Sequence, residues 1–282
     1  MNNYFCGWYF KCQSKEESIA LIPAVHTSCG AQSASIQVIS GSGNWNFDLP
    51  GGQGYMSRDR PCARLGANRF SEEGICLDLH APGCSVVGKL RFGKPTPVRY
   101  DIMGPFCAVP FMECRHRVFS MCHSVSGTLQ INGKEYGFHP GVGYIEGDRG
   151  HSFPKQYVWT QCCFEGGSLM LSVAEIPLGP AHFTGIISVV QLEGREYRLA
   201  TYLGARVQSL QNRAVTVRQG GLTLTAELLD QKAYPLRAPA EGAMARTIRE
   251  NVACRAHYQL RRKEHILLEL ETTKASFEYE YH

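Results

Sequence analysis

The run from Tyr144 to Gln161, YIEGDRGHSFPKQYVWTQ, gathers Glu146, Asp148, Arg149 and His151 with Tyr144, Phe153, Tyr157 and Trp159 in eighteen residues. In an extended chain, successive side chains point to opposite faces, so Tyr144, Glu146 and Asp148 share one face. By the same alternation Tyr157, Trp159 and Gln161 share a face of the segment after Pro154, and Gly150 and Pro154 allow a bend between the two runs. Acids set near large aromatic rings suit an acid-catalysed reaction on an apolar molecule. The same residues also make a structural strand corner, with Arg149 neutralising the two carboxylates. Arg237, a charge in the rigid PLRAP segment 235–239, is a further candidate partner for Glu146 or Asp148.

The elements that must position these groups read as β-structure. Period-2 alternation is clearest in Leu222, Leu224, Ala226 and Leu228 against Thr223, Thr225 and Glu227, and in Cys254, Ala256, Tyr258 and Leu260 against polar neighbours. Two hairpins stand out. LQINGKEYGF at 129–138 turns on Asn132-Gly133, a favoured type I′ pair, and VQLEGREYRL at 190–199 repeats it. Residues 41–54 are rich in Gly, Ser, Asn and Pro and predict turns. Residues 94–110 hold Pro95, Pro97, Pro105 and Pro110 and predict a crossover loop. Met244, Ile248 and Val252, spaced by four, predict one short helix near 241–250. The fold expected is all-β: two antiparallel barrel or sheet halves, 1–127 and 128–282.

A chain of 282 residues with 44% hydrophobic and 19% charged residues can bury a sizeable core, which excludes a disordered class. Net charge is only +4 and the longest basic run is Arg261-Arg262-Lys263, so no nucleic-acid partner is expected. The N-terminal MNNYFCGWYFKCQSKEES has no basic region followed by an apolar run, and no apolar stretch reaches about eighteen residues. The expectation is a cytoplasmic protein without a transmembrane segment. Peripheral membrane contact and oligomeric state are left open. Twelve scattered cysteines without a Cys-x-x-Cys pair fit reduced thiols rather than a disulfide framework. Cys162-Cys163 sits in an apolar run where a thiol is ordinarily inert. The nearest metal-like group, Cys114 and His116 with Cys122 and His123, matches no zinc spacing, and no metal or nucleotide cofactor is expected. His116 and His123 lie an odd number of residues apart, so in one strand they face opposite ways.

GYIEGDRGHSFP followed by YVWTQC resembles the signature of the tocopherol cyclase family. YFCGWYFK at 4–11 is similar to the family's opening block, and PLRAP at 235–239 to its late block. The resemblance implies a lipocalin-like, two-part β fold related to that of carotenoid hydratases and some natural-product cyclases, and it implies ring closure of a prenylated hydroquinone without redox change. It also covers Ser124 to Gly127, which favours His123 over His116 as a site histidine. Trp8 is then either a ligand contact or, as in lipocalin-type barrels, a plug at the barrel end.

Such a cyclisation needs a proton donor for a trisubstituted alkene, and a carboxylic acid kept protonated in a dry pocket supplies one. Asp148 and Glu146 are the candidate donors, with His123 the third catalytic candidate. Trp8, Tyr144, Tyr157, Trp159, Gln161, Arg149 and Arg237 are the candidate substrate contacts, and ring faces stabilise a cation by about 0.5–2 kcal/mol each. The ligand expected is an apolar small molecule. The alternative is a non-catalytic carrier of an isoprenoid, quinone or lipid, in which the same charges are structural. Acids open to an apolar cavity favour the enzyme; acids tied to Arg149 or to backbone and facing away favour the carrier.

Overall fold

The structure, a computed structural model, describes residues 3–49, 54–109, 112–178, 181–230 and 233–281. Pro110 and residues 50–53 of the turn-rich stretch lie outside them. Among the described residues twenty-one strands follow in chain order. The first eleven are β1 (Tyr4–Gln13), β2 (Ser18–Ser28), β3 (Ala31–Ser40), β4 (Gly43–Leu49), β5 (Gly54–Met56), β6 (Ala63–Leu65), β7 (Asn68–Ser71), β8 (Gly74–Ala81), β9 (Cys84–Phe92), β10 (Cys114–Ile131) and β11 (Lys134–Gly150). The others are β12 (Tyr157–Phe164), β13 (Gly167–Leu178), β14 (Ala181–Leu192), β15 (Arg195–Ala200), β16 (Arg206–Gln211), β17 (Ala214–Gln219), β18 (Leu222–Leu228), β19 (Tyr234–Ala240), β20 (Ala243–Arg262) and β21 (His265–Tyr279).

The first eleven strands form one sheet in the order β4-β3-β2-β1-β11-β10-β9-β8-β7-β6-β5. The second sheet runs β15-β14-β13-β12-β21-β20-β18-β17-β16, with β19 paired to β20. Both orders are open: among the described residues no pairing joins β4 to β5 or β15 to β16, so neither half is a closed barrel. Edge strand β5 has three residues, too few for a closing ladder, and short edges also discourage pairing with other chains.

Two compact units result. One comprises Met1–Val98, Cys114–Phe153 and Leu236–Thr247, the other Arg99–Glu113, Pro154–Pro235 and Ile248–His282. The expected division at 127/128 falls inside β10, because the hairpin at 129–138 is the far end of the β10–β11 pair. Half of the expected crossover loop is instead fixed in the second unit. The half-buried Tyr100-Asp101-Ile102 backbone accepts hydrogen bonds from Arg198 and Tyr202 at 2.9–3.0 Å.

Both hairpins turn as read. Asn132-Gly133 and Glu193-Gly194 each have positive φ at both positions, the type I′ signature. The expected helix near 241–250 is absent. Glu241-Gly242 is a tight turn with positive φ, and residues 243–262 are strand. A spacing of four is a multiple of two as well as close to one helical turn, so Met244, Ile248 and Val252 line one face of β20 equally well. Among the described residues helix is confined to two 3-10 turns, Gly104–Ala108 and Thr201–Leu203.

Each sheet buries one apolar face. In the first unit Trp8, Phe10, Leu21, Ile36, Phe70, Leu129 and Ile145 are among the core residues. In the second Val158, Leu171, Val190, Val217, Tyr258 and Phe277 do the same. Burial of this kind stabilises by about 25 cal/mol per Å² of apolar surface. Among the described residues no helix is long and apolar enough to cross a membrane.

Candidate active site

Strand β11 lies mid-sheet between β1 and β10, and its alternation separates two kinds of residue. Gly143, Ile145 and Gly147 turn to the apolar core. The glycines are required there by rings: a Cβ on Gly147 would stand 2.7 Å from the Trp8 ring, and one on Gly143 would stand 2.5 Å from His123 Nε2. Tyr144, Glu146 and Asp148 turn to the opposite face.

On that face the strands assemble a connected acid–base network. His116 of β10 is the register partner of Asp148. Its Nδ1 lies 2.9 Å from Asp148 Oδ1 and its Nε2 lies 3.2 Å from Glu146 Oε2. The Tyr144 hydroxyl donates to the same Glu146 oxygen at 2.5 Å, and the Cys114 thiol donates to Asp148 Oδ1 at 3.4 Å. Tyr144 and Glu146 are buried, and so is Lys11, the β1 partner of Tyr144. Burial opposes charge on His116. The adjacent charges of Asp148 and Glu146 and their hydrogen bonds outweigh it, so the imidazole is held well above its ordinary value and carries a proton at neutral pH.

Tyr144, Glu146 and Asp148 thus occupy one site in the first unit, and Arg149, Trp8, His123 and Arg237 of the same unit make their contacts away from it. Arg149 is on the core-facing parity of β11 and binds Asp59 Oδ1 at 3.1 Å and the Arg58 carbonyl at 3.0 Å, so it is not the neutralising partner of the acids. Trp8 packs in the apolar core, its indole N–H donating to the Ser57 carbonyl at 2.9 Å. His123 is on the core side too: its ring stands 4.8 Å from that of Phe92, Nδ1 lies 3.0 Å from Ser120 Oγ, and burial lowers its pKa to about 4. Arg237 donates to Asp48 Oδ1 at 2.6 Å rather than to Glu146 or Asp148. In the second unit Tyr157, Trp159 and Gln161 share a buried face of β12 away from its core. Tyr157 hydrogen-bonds Glu278, the register partner of Trp159, and Gln161 Nε2 donates to Cys163 Sγ at 3.3 Å.

Sequence reasoning passed over His116. The signal was present in the odd separation from His123, which allows only one of them beside the acids, but nothing in the sequence gave the register of β10 on β11. Two one-residue bulges, between Val118 and Ser120 and between Ser120 and His123, cancel, and the odd-separation rule survives.

His116, Glu146 and Asp148 offer ligand atoms all within 4.8 Å of one another, the spacing of a possible cation site. The two adjacent carboxylate charges favour a proton on the imidazole: Nδ1 is hydrogen-bonded to Asp148 Oδ1 and Nε2 stands 3.2 Å from Glu146 Oε2 as an ion pair without hydrogen-bond alignment, whereas a metal takes an unprotonated nitrogen.

The scaffold and network together define a lipocalin-like, two-sheet β protein with a buried acid–base centre. The family model described as tocopherol cyclase-like matches residues 84–279, from β9 to the end of β21, and the chain belongs to that family. Solved structures share the fold at low identity. CghA bound to Sch210972 superposes with TM-score 0.62 at 10% identity over 98% of this chain and 88% of its own. Kievitone hydratase from Nectria haematococca gives 0.58 at 7%, covering 99% and 89%. An AttH-type protein from Nitrosomonas europaea gives 0.58 at 11%, covering 100% and 93%. No curated protein sequence matches the chain.

Proposed function

We propose that the chain is an enzyme that cyclises or isomerises an apolar, unsaturated small molecule by proton transfer, without redox change. The observation that carries this reading is the protonated His116 held between Glu146 and Asp148 on a buried face, clear of Arg149. Family membership supports the reaction class, and a hydratase among the proteins of the same fold fits it, because adding water to an alkene can begin with the same protonation.

Passing the His116 proton to Glu146 or Asp148 creates a carboxylic acid whose other contacts stay in place. The acid gives its proton to one alkene carbon, and the other carbon becomes a tertiary cation. A hydroxyl oxygen of the same substrate bonds to that carbon and loses its proton to the carboxylate. One C–H and one C–O bond form, one O–H bond and the alkene π bond are lost, and the product is an isomer of the substrate. Tyr144 holds Glu146 Oε2 in place through the sequence.

The test is incubation with a prenylated phenol in deuterium oxide. Conversion to a cyclic isomer carrying one new C–D bond, abolished in Glu146→Gln or Asp148→Asn, supports the proposal. Saturable binding with no conversion, unchanged by those substitutions, would establish the carrier reading in its place.

A further inference from the structure

The acid network sets two carboxylates against one protonated imidazole, a surplus of one negative charge on a buried face. Arg149, the cation next to Asp148 in the chain, is on the other parity and is engaged by Asp59. Strand β1 supplies a cation on the acid side. Lys11 is the register partner of Tyr144, and Tyr9 is the partner of Glu146. Register partners share a face, so the Lys11 side chain stands beside Tyr144 and one step along the strands from Glu146. That diagonal spacing, about 7–8 Å, is within reach of a long side chain.

Lys11 is 1% exposed and is among the largest fully buried side chains of the protein. A lysine ordinarily carries its ammonium out to water along its apolar stem. A lysine with no outlet to water is almost always paired with negative charge. The groups facing it from the strands on either side indicate where that charge lies. From β11 they are Tyr144 and Glu146, and on β1 itself Tyr9 and Gln13. On β2 its partner is Ala20, flanked on the same face by Ser18 and Ile22, which carry no charge. His116 is faced in turn by Glu146 and Asp148 from β11, with Cys114 on its own strand donating to Asp148. Glu146 is therefore the acid that lies between the two cations. Its Oε2 accepts from Tyr144 and stands 3.2 Å from His116 Nε2.

The charge of Lys11 counts at one moment of the reaction. When the network gives its proton to the alkene, His116 becomes neutral and both carboxylates remain charged. The buried face has then gained one unit of negative charge, and a fixed cation beside Glu146 stabilises that state. We propose that Lys11 is a positioning residue of the proton transfer, the internal cation that balances Glu146 and Asp148 and lets His116 give up its proton. It touches no reacting atom and acts through Tyr144 and Glu146. The proposal rests on the proton-transfer reading of the site.

The full chain with 15N-labelled histidine is titrated from pH 6 to 11, His116 being identified by the resonance lost in His116→Gln. Lys11→Met keeps the length of the side chain and removes the charge. The His116 midpoint should rise by about one to two pH units, the effect of a unit charge roughly 8 Å away in a protein interior. Lys11→Gln should give the same rise and serves if the methionine variant folds poorly. Lys11→Arg keeps the charge and should hold the midpoint within a few tenths of a unit. In steady-state kinetics turnover should fall at least about tenfold in Lys11→Met and recover in Lys11→Arg, with KM within about twofold of wild type. No rise in either charge-removing variant, or an equal rise in Lys11→Arg, overturns the proposal and leaves Lys11 a packing residue. A His116 rise in a protein that converts no substrate refutes the proposed reaction and upholds the balancing charge, so the two readings fail separately.

Discussion

His116 and His123 lie on one strand, β10, and the two faces of the sheet give them opposite chemistry. On one face His116 sits between two carboxylates, and their charge overcomes burial, so it is held protonated. On the other His123 packs against Phe92 with a serine hydroxyl as its polar contact, and burial alone decides, leaving it neutral. The same residue type at similar depth becomes a proton store or a core ring according to what the neighbouring strand presents. Strand β11 makes the difference by alternating glycine and isoleucine toward His123 with tyrosine and acids toward His116.

The sharpest way to break this comparison is to disable each face in turn. Replacing Glu146 by Gln or Asp148 by Asn should lower turnover by about 10²–10⁴-fold, the range for a lost general acid, with much smaller change in substrate affinity. His123→Gln should leave turnover within about threefold, because general acid catalysis requires contact with the reacting atoms. Steady-state kinetics on the three variants checks this. A His123 variant as inactive as Glu146→Gln would end the distinction between the faces.

How much of this was legible beforehand follows from the same residues. Strand alternation alone put Tyr144, Glu146 and Asp148 on one face, and Asn132-Gly133 announced its turn. Alternation also grouped Tyr157, Trp159 and Gln161. What sequence could not supply was cross-strand register, which is set by turns and bulges distant from the residues that meet. That is why His116 was passed over for His123, and why Arg149, adjacent to Asp148 in the chain but on the other parity, was read as its partner. The helix near 241–250 failed for a different reason: a spacing of four fits both periods, and the turn at Glu241-Gly242 hid which one applied.

The second test is pH. The folded protein holds His123 at about 4, whereas the unfolded chain takes up that proton near 6.5. Between these values the unfolded state binds more protons, so acidification from about 6.5 to 4 should cost up to about 3 kcal/mol from this group and then level off. His26, also held near 4, adds in the same direction. His116 has the opposite sign: its contribution is complete below about 6.5 and is lost as pH rises through its raised folded value. Denaturant unfolding of the wild type and of His123→Phe between pH 4 and 8 separates them. The variant should lose less stability on acidification, and an unchanged profile would mean that His123 is not held neutral.

The third test acts on packing. Gly147→Ala places a methyl group 2.7 Å from the Trp8 ring, in a core where the indole is pinned by its bond to the Ser57 carbonyl. Overpacking of this kind should destabilise by about 1–3 kcal/mol. Gly137, on the same strand with nothing near its Cβ position, is the control and should tolerate alanine. Equal midpoints in urea for the two variants would show that Trp8 can move aside.

The smallest effect is expected at Arg149, and it bears most directly on whether the acids are neutralised from within the sheet. Its guanidinium meets Asp59, whose side chain is 70% exposed, so water screens the pair. Exposed pairs contribute at most about 1 kcal/mol, and Arg149→Gln should therefore shift stability by less than that. It also keeps a donor able to reach the Arg58 carbonyl, which preserves the link between β11 and the segment after β5. Because the side chain points away from Glu146 and Asp148, the pH dependence of turnover should be unchanged. If Arg149 instead neutralised the acids, its loss would raise their protonation and move the acidic limb of the profile to higher pH. A shifted limb with unchanged stability would place the charge of Arg149 in the network after all, and the two faces of β11 could no longer be treated as electrically separate.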